Sequence, residues 1–145
     1  MGLLEDIVNY KKSFVEQSKK ILPVERLKTI TKAGDFALTT ALSNSKTNII
    51  AEIKRGSPSA GIIFEIFEPV KIAEKYSKAG AGAISVITDE KYFFGNLQML
   101  KDVSSAVSLP VLRKDFIIDE YQVYEAAVYG ASAVLLIAGI LSADM

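Results

Sequence analysis

Ile49-Ile50-Ala51-Glu52-Ile53-Lys54-Arg55-Gly56-Ser57-Pro58-Ser59-Ala60-Gly61 is the stretch on which the fold turns. Before it the chain reads as helical; after it, short apolar runs alternate with helical patterns. Ile49–Ile53 is nearly continuous in apolar character, as in parallel strands buried on both faces, whereas a sheet with one wet face alternates. Three further runs follow at Ala83–Thr88, Pro110–Arg113 and Ala133–Ala138. Between the runs lie helical spacings. Val70, Ile72, Ala73 and Tyr76 mark the first, ending near Gly80, and Leu97, Leu100 and Val103 mark the second. Tyr121, Val123, Tyr124, Ala127 and Val128 mark the third, ending near Gly130.

Strand–helix units of about 25–35 residues read as repeated βαβ with right-handed crossovers, so the fold class is α/β. Two architectures carry such units: a small doubly wound sheet, or part of a (β/α)₈ TIM barrel, which takes about 250 residues in full. A dinucleotide-binding sheet should open its first strand into G-x-G-x-x-G. Lys54 to Gly61 has neither that spacing nor the Walker lysine pattern, which weighs toward the barrel.

Working outward, Leu3, Leu4, Ile7, Val8, Phe14 and Val15 recur at helical spacing among charges. They predict an amphipathic helix that Pro23 interrupts. A second short helix is expected from Val24 to about Thr31, and a third over Phe36–Leu42 with Asp35 as its cap. The polar stretch Ser43–Asn48 then closes an N-terminal helical extension, residues 1–48. Residues 49–145 hold about four βα units, the first half of a barrel. At the far end Leu141-Ser142-Ala143-Asp144 reads as the opening of another helix with Ser142 as cap, so the expectation is a partial, truncated barrel.

Of the 145 residues, 17 are basic and 17 acidic, so broad charge-driven binding to nucleic acid or an anionic membrane is not expected. A local basic cluster can still hold a small anion. There is no cysteine and no histidine, which removes thiolate chemistry and leaves acid–base work to Lys, Glu, Asp or Tyr. No apolar run reaches the length of about 20 residues that a bilayer span requires, and the protein reads as cytoplasmic.

Both architectures place function at the carboxyl ends of strands, where charges in apolar runs stand out. Alternation puts Glu52 and Lys54 on one face, opposite Ile53; that face is either the barrel interior or the helix-covered side. Lys114, closing an apolar run with other cations nearby, is a candidate general acid or base, although charge-rich surface loops are common. Ser57-Pro58-Ser59 between Gly56 and Gly61 can offer hydroxyls and N–H groups to an anion, or simply make a turn. Tyr92-Phe93-Phe94 can wall a pocket for a planar group or anchor their loop on the following helix.

Together these segments resemble indole-3-glycerol-phosphate synthase. The resemblance runs through Ile50–Ser59 with Gly61, Ala83–Gly95, Leu112–Asp119, Tyr121-Gln122-Val123, Gly130-Ala131 and Leu135–Ile137, and covers nearly the whole chain. It implies a barrel lyase of tryptophan biosynthesis acting on 1-(2-carboxyphenylamino)-1-deoxyribulose 5-phosphate by ring closure, decarboxylation and dehydration. Neither metal nor organic cofactor is implied. By matching position Lys114 is the general acid. Lys54 holds the substrate anion and assists later proton transfer, and Glu52 pairs with it or acts in the dehydration. Ser57 falls where the family contacts substrate, and Phe93, Phe116 and Leu135 fall where it walls the anthranilate ring. Groups the family takes from later strands are absent, so the chain alone is expected to be incomplete for catalysis. Other readings are another phosphate-binding barrel, such as phosphoribosylanthranilate isomerase, or a non-catalytic half-barrel module. Open edges and an exposed interior face around Ile50, Val86 and Leu135 are expected to favour self-association or pairing with the missing half.

Overall fold

The computed structural model describes residues 2–43 and 47–141. Residues 44–46, within the expected polar stretch, lie outside the described residues, as do Ser142–Asp144 of the helix opening expected over Leu141–Asp144; Leu141 itself is extended, at φ −89° and ψ 145°.

The N-terminal region folds as α1 (Leu3–Ile21), α2 (Val24–Ile30) and α3 (Ala37–Ser43). Glu5 and Asp6 in the first turn of α1 and Lys19 and Lys20 in its last suit the helix dipole. Pro23 stands at the N-cap of α2 with ψ of 149°, the extended backbone that separates the two helices. Asp35 Oδ1 accepts the Ala37 N–H at 3.0 Å, capping α3.

There follow β1 (Ile50–Ile53), β2 (Gly56–Ser57), β3 (Gly61–Ile62), α4 (Pro69–Lys78), β4 (Ala83–Ile87), α5 (Leu97–Ala106), β5 (Val111–Lys114), α6 (Glu120–Val128) and β6 (Ala133–Val134). β2 and β3 make a small antiparallel hairpin in the loop after β1. The other four strands form one parallel sheet in the order β1-β4-β5-β6. That order decides between the two architectures. A doubly wound sheet reverses at a switch point and carries helices on both faces. Here each strand adds beside the last, and the helices gather on one face, as in the wall of a (β/α)₈ barrel.

Alternation sorts the strand residues. Ile53, Ile84, Val86 and Val111 point to the helices and pack with Ala73 of α4 and Leu100 and Val103 of α5. Each fully buried aliphatic chain of this size contributes about 1.5–3 kcal/mol. On the opposite face the register pairs Glu52 with Ser85, Ser85 with Leu112, and Ile87 with Lys114.

Three expectations need correction. Val86, expected on the interior face, is fully buried among the helices; Ser85 and Ile87 take the other side because the side-chain period of a strand is two. Of Ala133–Ala138 only Ala133–Val134 is paired strand. The Leu135 N–H adds one bond to the Arg113 carbonyl at 3.1 Å. β5 ends at Lys114, so nothing continues the ladder, and the chain enters a 3₁₀ turn at Ala138–Ile140. Finally, α6 does not bury Val123, which is 41% exposed; it buries Gln122 and Glu125 instead. The reason is Arg113, which points into the same layer and requires polar partners.

The N-terminal helices dock on α6. Val15 and Leu27 close over Tyr121, flanked by ion pairs from Lys19 to Asp119 at 2.6 Å and Lys28 to Glu120 at 3.4 Å. α3 lies against β4, and Asn48 Nδ2 donates to the Leu42 carbonyl at 2.7 Å just before β1 begins.

Candidate functional site

Two strands of the sheet, β1 and β5 with β4 between them, deliver charges to one place. β1 carries Glu52 on the face away from the helices, with Lys54 one residue past its end; β5 carries Lys114 as its last residue. Lys54 Nζ lies 3.5 Å from Glu52 Oε1, and Lys114 Nζ lies 3.2 Å from Glu52 Oε2. One carboxylate therefore bridges two ammoniums. All three side chains keep more than a third of their surface exposed, at 35–39%, so each has capacity for a further partner. The shared face of Glu52 and Lys54 is thus the uncovered one, and the nearest charged partner of Lys114 is a carboxylate rather than a cation. Arg113 beside it points the opposite way.

Next to Lys114 is an apolar notch lined by Ile87, Asp89, Phe93, Lys114, Asp115, Phe116, Leu135 and Ile137. It measures about 50 Å³, against roughly 300–1,000 Å³ for a pocket that encloses a ligand. It is therefore one wall of a site. The Phe93 and Phe116 rings stand 6.1 Å apart at 40°. Lys114, Phe93, Phe116 and Leu135, chosen from scattered segments, are brought together.

The loop after β4 earns its shape from Asp89. Its Oδ1 accepts the Tyr92 and Phe93 N–H groups at 2.7 and 3.2 Å, and its carbonyl accepts the Gly95 N–H at 2.8 Å. Gly95 passes so close to the Ile87 carbonyl that a Cβ would collide with it. The three consecutive aromatics diverge. Tyr92 meets Tyr10 of α1 edge-on with centroids 6.0 Å apart, and Phe93 meets Phe116. Phe94, at φ 59°, lies where a Cβ on Gly56 would strike its ring.

Ser57 stands apart from that notch. Its hydroxyl accepts the Ala60 N–H at 3.2 Å and lies 3.4 Å from the Ser59 hydroxyl, so in this structure it shapes the β2–β3 turn.

A second ionic group lies behind the strand ends, and the sequence reading did not find it. Arg113 Nη1 donates to the Gln122 carbonyl and Glu125 Oε2, both at 2.9 Å. Its Nη2 donates to Asp115 Oδ2 at 3.0 Å and its Nε to Thr88 Oγ1 at 3.1 Å. Lys11, from α1, reaches Asp89 Oδ2 at 2.9 Å and Asp115 Oδ1 at 2.8 Å. Burial works to raise the Asp115 carboxyl, but Arg113 and Lys11 outweigh it and hold it below the usual range. Burial likewise opposes the charge on Lys11, yet Asp115 and Asp89 raise it above an ordinary lysine. Glu125 is the exception: burial pushes it up despite Arg113. The only signal in the sequence was a charge inside each layer, Arg113 closing an apolar run and Glu125 one turn from Tyr121.

A cluster of two ammoniums and one carboxylate beside paired phenyl rings is suited to a ligand that is anionic at one end and aromatic at the other. The family model for indole-3-glycerol phosphate synthase matches residues 4–145. A protein of Prochlorococcus marinus subsp. pastoris named indole-3-glycerol phosphate synthase is 47% identical over 147 residues, covering 99% of this chain and 50% of the relative. Proteins of the same name from Thermoanaerobacter pseudethanolicus and Caldanaerobacter subterraneus subsp. tengcongensis are 46% and 48% identical, each covering 96% of this chain and 54% of the relative. The chain spans about half the length of the curated relatives it matches.

Proposed function

The chain belongs to the indole-3-glycerol phosphate synthase family, and from that premise we propose that Glu52, Lys54, Lys114 and the Phe93–Phe116 wall serve the reaction for which the family is named. The substrate is 1-(2-carboxyphenylamino)-1-deoxyribulose 5-phosphate and the enzyme class is a carboxy-lyase of tryptophan biosynthesis. The observation that carries this reading is the double placement of Lys114, which both faces the Glu52 carboxylate and lines the aromatic notch.

In this reading the anthranilate ring lies against Phe93, Phe116 and Leu135, which exclude water from the carbon that must react. The aryl carbon bearing the carboxylate attacks the ketone carbon while Lys114 delivers a proton to the ketone oxygen, so charge does not build up there. Carbon dioxide leaves, its bonding electrons returning to the ring. Loss of the hydroxyl as water then completes the indole. Lys54 holds the substrate carboxylate through the first steps and takes part in later proton transfer. Glu52, held between the two lysines, keeps both ammoniums in place and is a base available for the dehydration. Ser57, in the turn after β1, is the residue assigned to substrate contact from that loop. The reaction needs proton transfers and electrostatic positioning, and these side chains supply part of both.

The test joins residues 1–145 to the C-terminal half of the Prochlorococcus relative and follows indole-3-glycerol phosphate formation by fluorescence, beside residues 1–145 alone. In the joined protein Lys114→Ala is expected to lower kcat by about 10²-fold or more, the scale of a general acid. Lys54→Ala is expected to raise KM as well as lower kcat, since it removes a charge held near an anion. Parental turnover in Lys114→Ala overturns the assignment.

A further inference from the structure

Lys11 lies in the middle of α1 and is 2% exposed. Its two carboxylate partners sit just beyond the ends of β4 and β5. Each of them also holds the backbone of an aromatic wall. Asp89 Oδ1 accepts the Phe93 N–H at 3.2 Å, and Asp115 Oδ1 accepts the Phe116 N–H at 2.8 Å. One ammonium therefore ties together the two carboxylates from which the two phenyl residues hang. The same helix touches the same loop again through Tyr10 on Tyr92.

Docking of the helix does not explain this arrangement. Val15 on Tyr121 and Lys19 on Asp119 already fasten α1 to α6. Burying an ammonium is costly, and an apolar side chain in a reshaped site would dock a helix as well or better. The charge is accounted for by the geometry it imposes: two strand ends from different βα units are fixed relative to each other at the point where the notch opens.

We propose that Lys11 is a positioning residue that sets the separation of the Phe93 and Phe116 rings, so that the width of the aromatic slot is decided from the N-terminal helix. The part of this that concerns a ligand rests on the reading of the notch as an aryl subsite; the part that concerns the rings does not.

The test uses the chain of residues 1–145 in three forms: parent, Lys11→Met/Asp89→Asn, and Lys19→Met. The double variant removes the ammonium without stranding a buried charge on Asp89, and its new amide still offers Oδ1 to the Tyr92 and Phe93 N–H groups. Lys19→Met loosens the same helix without touching the strand ends. Ring-to-ring nuclear Overhauser effects between Phe93 and Phe116 are measured in each, together with binding of 2-aminobenzoate. The expected result is loss of the Phe93–Phe116 effect in the double variant, its retention in Lys19→Met, and binding weakened about tenfold or more in the double variant alone. An unchanged effect in the folded double variant overturns the proposal, and so does an equal loss in Lys19→Met. Absence of 2-aminobenzoate binding in the parent, with the ring effects behaving as expected, refutes the aryl reading of the notch and leaves the role of Lys11 standing.

Discussion

Arg113 and Lys114 are adjacent residues of one strand, both cationic, and the sheet sends them to opposite fates. Arg113 turns to the helix layer, where its side chain is 1% exposed and its donors meet Thr88, Asp115, Gln122 and Glu125. Lys114 turns to the open face, 39% exposed, with Glu52 as its ion-pair partner. A cation with four of its five donors committed inside a protein has little left to offer a ligand, and its removal strands the carboxylates around it. A cation with one partner and open surface holds its shape loosely and can exchange that partner for a substrate. Charge inside an apolar run marks both kinds equally; the number of committed donors is what separates them.

The largest expected effect tests this division directly. Arg113→Met should cost about 3–5 kcal/mol in urea unfolding, because Asp115 and Glu125 lose a buried counter-charge. Lys114→Met should change stability by no more than about 1 kcal/mol, as for exposed pairs. Equal losses at the two positions would show that the open face is as structural as the covered one.

Acid should act on the covered face through Asp115. Its folded-state carboxyl is lowered, so the stability it adds is present above its unfolded value, about 4, and is lost as pH falls through the lowered folded value. Lys11 is raised, so its contribution is fully present below its unfolded value, 10.5, and is lost only as pH climbs through the higher folded value. Glu125, raised by burial, runs against Asp115: its cost grows as pH rises above its unfolded value, 4.5, and is relieved in acid. Thermal midpoints at neutral pH and at about pH 3 should therefore show the gap between parent and Asp115→Asn closing in acid. A gap that stays constant would remove Asp115 from the account.

The smallest of these effects sharpens the open face. Phe93→Ala or Phe116→Ala should weaken binding of an anthranilate-like ligand by roughly 1–3 kcal/mol through lost apolar contact, leaving inorganic phosphate unaffected. Calorimetric titration with both ligands reads it. Similar losses for phosphate would locate the damage in the fold.

What could be read from the chain follows the same line. Strand alternation needs only neighbouring residues, so Glu52 and Lys54 could be placed together, and runs spaced by helices were enough for an α/β sheet. The barrel-like winding needed the strand order, which periodicity does not contain. The last run was read too long because its apolar character continues past the end of its pairing partner. Val86 was assigned to the wrong face because its run is apolar on both. Lys11 gave no signal: beside Lys12 and among the charges of an amphipathic helix it reads as solvated. Its partners Asp89 and Asp115 are distant in sequence, and only the folded chain assembles them.

The fit of Phe94 against Gly56 has a bearing on how such a mouth can change over generations or at an engineer's bench. The loop after β1 and the loop after β4 are keyed to one another, because a side chain on Gly56 would run into the Phe94 ring. A replacement loop brought in after one strand inherits the contour of its neighbour's loop. The heritable module at this rim is therefore a pair of loops, and swaps made singly should be purged or repaired before they can be explored.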